Sequence, residues 1–547
     1  MKLIKNSLVT TFITFAFAFN INAQSLDAKF DEILLTQYKP NGPGAVALVA
    51  KNGKTIYRKA FGKANLELDV MMKPENVFEL GSITKQFTAV SILMLEEQGK
   101  LSTNDEITKY IPDYPTHGKK ITIHQLLTHT SGIKSYTELP SFMKIARTDM
   151  TPTELINVFK NEPMDFDPGT QWHYNNSGYI ILGYIIEKAS GKSYASFIEE
   201  NIFKKLGMAH SYYGSMSTII PNRATGYQPT KTGFENADYL SLTLPYAAGS
   251  LMSTVDDMLL WSQAIHNNIL ITKESKQKAF TNYTINKGEP IIYGYGWEPN
   301  EINGRPSIEH GGGIFGYSTM GIYLPGENVY VIVLTNSSAG GPGDAALKMA
   351  TIMLPKATEL KPVSLTPQQL AQWVGTYEYE GNILRSVTLE NGEMYSQREG
   401  GSKIKLIPTS AATFNFTGIT SQYEFAGDKG KRTVILKDRI RRSKGAETTR
   451  KATEEKAPVI LDAASIQQYV GSYELQPGFE IEVTADGNHL FAQATGQSKF
   501  EIFEEKPGTF YLKVVKASID FNKDSNGKMK SLTLHQNGKD TEGLKIK

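Results

Sequence analysis

Trp373-Val374-Gly375-Thr376-Tyr377 returns as Tyr469-Val470-Gly471-Ser472-Tyr473, 96 residues further on. Asn391-Gly392 with Asp486-Gly487, Thr413-Phe414 with Thr509-Phe510, Phe425 with Phe521, and Gly430-Lys431 with Gly527-Lys528 keep that spacing within one residue. Self-similarity at a fixed offset marks one structural unit used twice. Around its turns each copy alternates apolar and polar residues, as in 386–395 and 480–491. That period of two predicts short strands in small antiparallel β-barrels or sandwiches. The copies span 361–445 and 461–547. Between them the chain is charged, threonine-rich and without large apolar side chains over 442–458, which predicts a solvated linker, placed at 446–460. Neither copy gathers histidines or paired carboxylates, so both read as accessory domains with filled interiors.

The 24–360 segment mixes two periodicities. Residues 45–51 and 55–59 flank Asn52-Gly53, a strong hairpin signal, and 319–324 and 329–335 flank Pro325-Gly326. Helical spacing fills 82–98, 152–160, 177–189 and 254–266, and a further run covers 345–354. Strand pairs at both ends of a helical middle predict an α+β domain whose sheet is assembled from both ends. Ser253 with Asp256 resembles a capping box for the 254–266 helix.

Lys2 and Lys5 precede an uncharged apolar run from Leu8 to Phe19, followed by Ile21-Asn22-Ala23. This reads as a secretory signal over 1–23; the run is short of the roughly 20 apolar residues that span a bilayer. Its removal takes two lysines and no acid from a chain of net charge +2, leaving 56 basic against 56 acidic side chains. A balanced chain has no general attraction for nucleic acid or anionic lipid. With no cysteine there is no disulfide, thiolate metal site or N-terminal lipid thioether. The expectation is a periplasmic or secreted protein without a stable membrane anchor. It acts on a small molecule or peptide, and neither metal nor cofactor is called for. The sequence says nothing about oligomeric state.

Three separated segments carry the chemistry. In Ser82-Ile83-Thr84-Lys85, at the head of an apolar-periodic helix, the hydroxyl and the amine share one helical face. A serine needs such a neighbouring base to become a nucleophile, and the helix N-terminus favours its anion. Tyr174-Asn175-Asn176 follows the turn Asp167-Pro168-Gly169-Thr170. A tyrosine used as a base requires an adjacent cation to stabilise its phenolate, a role open to Lys85. Asn176 would orient Lys85 or a substrate carbonyl. In Glu309-His310-Gly311-Gly312-Gly313, the glycines allow an edge strand to bring N–H groups close to Ser82.

Ser82-x-x-Lys85, Tyr174-x-Asn176 and His310-x-Gly312, in that order, resemble the penicillin-recognising serine hydrolases. The nearest branch holds class C β-lactamases, D-Ala-D-Ala carboxypeptidases, D-aminopeptidases and related esterases. Leu126-Leu127-Thr128-His129-Thr130-Ser131-Gly132, 247–254 and Tyr293-Gly294-Tyr295-Gly296-Trp297 match it too. The resemblance implies a three-layer α/β/α domain around a central antiparallel sheet, followed by lipocalin-like β domains. It implies acylation of Ser82, a coupled Lys85/Tyr174 base, and substrate binding by Asn176, His310, Gly312 and Gly313. An oxyanion would rest on the N–H groups of Ser82 and Gly313. His129 reads as structural, satisfying backbone groups of its turn. Most β-lactamases and carboxypeptidases of this branch carry lysine at the position of His310. A histidine with pKa near 6.5 is mostly neutral at pH 7, so its attraction for a substrate carboxylate is weak. D-Ala-type peptides, small esters and β-lactams remain open as substrates. The alternative is a penicillin-binding sensor or scaffold that acylates with little turnover.

Overall fold

The computed structural model describes residues 25–230, 233–339, 341–355, 362–417, 421–451, 461–476, 479–494, 499–512, 517–536 and 539–546. The expected signal segment lies outside these residues, as does 452–460 of the expected linker. No helix among the described residues is long and apolar enough to cross a membrane.

The first unit reaches Pro355. Its elements needed here are α1 (Leu26–Gln37), β1 (Ala45–Lys51), β2 (Lys54–Phe61), α2 (Thr84–Glu97), α3 (Asn176–Ser190), α4 (Val255–His266), β3 (Glu298–Ile302), β4 (Arg305–Ile314), β5 (Tyr317–Leu324), β6 (Val329–Thr335) and α5 (Pro342–Met353). The sheet runs β3-β4-β5-β6-β1-β2, all antiparallel. Ala45 pairs with Thr335 and Lys51 with Val329, so the two chain ends do meet in one sheet. Asn52 and Gly53 both take positive φ, +52° and +74°, as the β1–β2 turn demands.

Strand β1 is buried on both faces, so its residues alternate between two cores rather than between core and solvent. Ala45, Ala47 and Val49 pack with Phe30 and Leu34 of α1 and Met349 of α5. Val46, Leu48 and Ala50 pack with Phe87 of α2, Tyr179 of α3 and Trp261 of α4. That is the expected three-layer architecture. Helix α2 departs from the amphipathic reading: every residue from Thr84 to Leu95 is buried. It is the central helix of its layer, with Phe87 stacked on Trp261 at 3.8 Å between centroids. The cap of α4 also slips by one residue from the expectation. Thr254, not Ser253, accepts the Asp257 N–H, and Asp256 pairs with Arg58.

The second unit contains two closed eight-stranded antiparallel barrels. The repeat has a shared bond behind it: Tyr377 donates to the Trp373 carbonyl and Tyr473 to the Tyr469 carbonyl, each at 2.9 Å. Aromatic and aliphatic side chains fill both interiors. The linker reading needs correction at its start. Arg441–Thr448 is the strand that closes the first barrel, pairing Thr448 with Thr376. Its side chains are mostly exposed, and backbone pairing rather than an apolar face holds it in place.

Candidate active site

Ser82 sits in a 3₁₀ turn over Gly81–Ile83 that runs directly into α2. Two glycines let this turn lie against β4. A Cβ on Gly81, at φ +53°, would stand 2.9 Å from the Gly313 backbone N and O. One on Gly312 would stand 2.0 Å from the Leu80 carbonyl oxygen, which accepts a 2.8 Å bond from Thr319 Oγ1. Strand β4 is second in the sheet rather than at its edge. However, β3 pairs only as far as Glu309, so 310–314 passes beyond β3 and presents a free edge to the Ser82 turn.

This close approach gives a direct prediction. Gly312→Ala must push β4 away from the turn at a cost of about 2–3 kcal/mol, lowering the melting temperature by about 3–5 °C. Gly326→Ala in the β5–β6 turn meets nothing within 4 Å and is the neutral control. Thermal melts of the two variants check it.

In the first turn of α2, the Lys85 amine is fully buried. Nζ lies 3.0 Å from Ser82 Oγ, 2.9 Å from Asn176 Oδ1 and 2.9 Å from the Ala248 carbonyl oxygen. Burial pulls its pKa well below the ordinary lysine value, which favours the neutral amine. A neutral amine has two N–H donors and one lone pair. The Asn176 and Ala248 oxygens can only accept, so they take the two donors. The lone pair is left facing the Ser82 hydroxyl, the arrangement a general base needs.

Tyr174 lies on the loop before α3, whose cap is the Asn175 side chain accepting the Gly178 N–H at 2.8 Å. The Lys85 nitrogen sits over the Tyr174 ring, 4.8 Å from its centroid. The phenol hydroxyl is buried with no hydrogen-bond partner. Burial raises its pKa, and the Ser82 hydroxyl nearby opposes that rise. Both groups are therefore driven to their uncharged forms. This favours a phenol beside an amine over the expected phenolate beside an ammonium. Asn176 Nδ2 donates to Thr137 Oγ1 at 3.1 Å, which holds the amide in place.

His310 is buried behind this face. Its Nδ1 is 2.5 Å from the Gly311 carbonyl oxygen and must donate to it; Nε2 then accepts from the Tyr293 hydroxyl at 2.8 Å. Burial, and secondarily the Lys85 charge, pulls its pKa down to about 3. Burial therefore favours its neutral form, and both nitrogens are already engaged. His129, also buried, brackets Tyr174. Its carbonyl accepts the His173 N–H and its Nδ1 the Asn175 N–H, both at 3.0 Å, and its ring lies 4.4 Å from the Tyr174 ring. Glu138, Asp165 and His173 converge beside the loop. Lys134 already offsets their charge, 2.9 Å from Asp165 and 3.4 Å from Glu138.

Ser82 opens into a cavity of about 370 Å³, lined also by Asn176 and Gly313. Of the residues expected in the site, Ser82, Lys85, Tyr174 and Asn176 come together, and Ser82 and Asn176 also line the cavity. Gly313 lines the wall, Gly312 packs on the turn, and His310 stands behind. Thr137 and the aromatic walls Tyr136, Phe142 and Phe315 carry no motif, and only their position in space marks them.

The Beta-lactamase family matches residues 28–352, and a domain of unknown function (DUF3471) matches 455–545. A penicillin-binding protein of Bacillus subtilis (strain 168) is 30% identical over 431 residues, 74% of this chain and 94% of that protein. Among solved structures, an octameric penicillin-binding protein homologue from Pyrococcus abyssi is 28% identical with a TM-score of 0.53, over 77% of this chain and 99% of that one. A D-stereospecific amidohydrolase from Streptomyces sp. is 26% identical with a TM-score of 0.52, over 59% of this chain and 97% of that one.

Proposed function

The chain belongs to the beta-lactamase family, and from that premise we propose an exported serine hydrolase that works through an ester on Ser82. The observation that carries the reading is the buried Lys85 amine, 3.0 Å from the Ser82 hydroxyl with its two other partners able only to accept. Ser82 Oγ attacks the substrate carbonyl carbon as its proton passes to Lys85 Nζ. The N–H groups of Ser82 and Gly313 hold the oxyanion. Collapse of the tetrahedral intermediate expels the leaving group, which takes a proton from the Lys85/Tyr174 pair. Water then attacks the acyl carbon, the same pair accepts its proton, and that proton passes to Ser82 Oγ as the acyl–oxygen bond breaks. The pair titrates as a unit, so no single pKa belongs to either member.

Esters, amides and D-Ala-type peptides are the favoured substrates, in keeping with the amidohydrolase among the structural neighbours. β-Lactams rank lower because the neutral His310 offers their carboxylate no charge. Incubation with a fluorophosphonate and a fluorescent penicillin tests the reading. Labelling of Ser82 by the fluorophosphonate, with any penicillin label lost rapidly, is the expected result. Durable penicillin labelling would replace it with the sensor or scaffold reading, which the penicillin-binding relatives favour. No labelling by either probe in a folded protein would overturn both.

A further inference from the structure

The cavity above Ser82 has the volume to hold more than a small acyl group: about 370 Å³, against the roughly 150 Å³ of an apolar cavity that takes up benzene. Its walls are Tyr136, Phe142, Leu240, Pro245, Ile314 and Phe315. The Tyr136 hydroxyl is spent on the Leu244 carbonyl at 2.8 Å, so that residue contributes ring carbon to the wall. Phe142, from the short helix Phe142–Ile145, and Phe315, from the tip between β4 and β5, meet edge to face at 6.5 Å. Two chain segments far apart in sequence thus bring aromatic surface to one space.

The polar groups on the lining are Thr137, Asn176, Gln228, Ser338 and Ser82 itself, and none is charged. Charges nearby are committed elsewhere. The Lys85 amine has three partners, and both nitrogens of His310 are occupied. Glu138 and Asp165 are paired with Lys134. Among the described residues, no charged side chain on the lining would pair with a carboxylate or an ammonium brought in with the acyl group, and burying an unpaired charge is costly.

We infer that the site selects neutral esters or amides with a bulky apolar acyl group, and rejects acyl groups that carry a free carboxylate or ammonium. This rests on the serine-hydrolase reading and narrows it. A free ammonium on the acyl group is the handle that an amino-acid amidase would hold, and no charged side chain of the lining meets it. Binding energy comes from the acyl chain, about three- to fourfold in kcat/KM per methylene until the space is full.

A set of p-nitrophenyl esters with one leaving group tests this: acetate, butyrate, hexanoate and 4-phenylbutyrate, with the adipate monoester and the 6-aminohexanoate as charged counterparts of hexanoate. The expected result is a rise from acetate to hexanoate or phenylbutyrate, with both charged esters at least about 30-fold below hexanoate. A charged ester turned over as fast as hexanoate would overturn the inference. Leu240→Arg should raise the adipate-to-hexanoate ratio at least tenfold, and an unchanged ratio in the folded variant would overturn the placement of the acyl chain. Phe142→Ala, on a half-buried position, should flatten the chain-length dependence even where Leu240→Arg does not fold; an unflattened series would count against the wall. Fluorophosphonate labelling runs in parallel. Labelled Ser82 with a preference for charged esters defeats this inference alone, whereas absent labelling in a folded protein defeats the hydrolase reading beneath it.

Discussion

Ser82→Ala is expected to lower kcat on a p-nitrophenyl ester by about ten-thousand- to a million-fold, with a melting temperature within about 2 °C of the parent. The two halves of that result come from different parts of the geometry. Ser82 is only partly buried and its short side chain meets the Lys85 amine at 3.0 Å, so its loss removes little packing. Lys85 keeps Asn176 and Ala248 and stays satisfied. The chemistry has no such reserve, because no covalent intermediate forms without that oxygen. What survives is binding and oxyanion stabilisation. Hydroxyl and amine act as one unit, so adding Lys85→Met to Ser82→Ala should cost almost nothing further. Ester hydrolysis beside a thermal melt is the measurement. A Ser82→Ala protein keeping more than a hundredth of parental kcat would remove Ser82 from the mechanism.

How much of this was legible in the sequence depends on the range of the contacts involved. Local signals held well. Asn52-Gly53 marks a turn because both residues take positive φ, and helices near 152–160 and 177–189 appear as Pro152–Phe159 and Asn176–Ser190. The repeat was legible because each copy needs the same Tyr-to-carbonyl bond and the same interior aromatics. Ser82 and Lys85 could be placed together because three residues of helix bring them together whatever surrounds them.

Contacts made across the fold left weaker traces. Arg441–Thr448 looks like linker because a strand with exposed side chains has no apolar period, although it closes a barrel by backbone pairing. The all-round burial of α2 depends on Trp261, far along the chain. The cavity walls come from 136–142, 240–245 and 314–315, three stretches with no shared pattern. For the same reason the charge state expected of Tyr174 was reversed. A lysine beside a tyrosine suggests an ion pair, but burial of both favours the uncharged forms, and burial is a property of the whole fold.

Lys85→Met should lower kcat by about a thousand- to ten-thousand-fold, and its effect on stability should depend on pH in a definite direction. Lys85 is protonated in the unfolded chain below its ordinary value of 10.5, while burial lowers its pKa in the folded protein. Between those two values the unfolded state binds the extra proton. Stability of the parent therefore rises with pH across that window, is complete above about 10.5, and is lost as pH falls toward the folded-state pKa. Methionine has nothing to titrate. It leaves the Ala248 and Asn176 oxygens without their donor, a penalty of about 1–3 kcal/mol each that does not change with pH. The difference in melting temperature, variant minus parent, should thus become steadily more favourable to the variant as pH falls below 10.5. A constant difference would mean that Lys85 titrates as an ordinary lysine. Under the proposed mechanism the same proton governs catalysis. Only the free amine can accept from Ser82, so kcat/KM of the parent should rise with pH along a limb well below 10.5. Lys85→Arg keeps the positive charge, yet a guanidinium does not deprotonate in this range. It should be as inactive as the methionine variant, which separates a lysine that takes a proton from one that merely supplies charge.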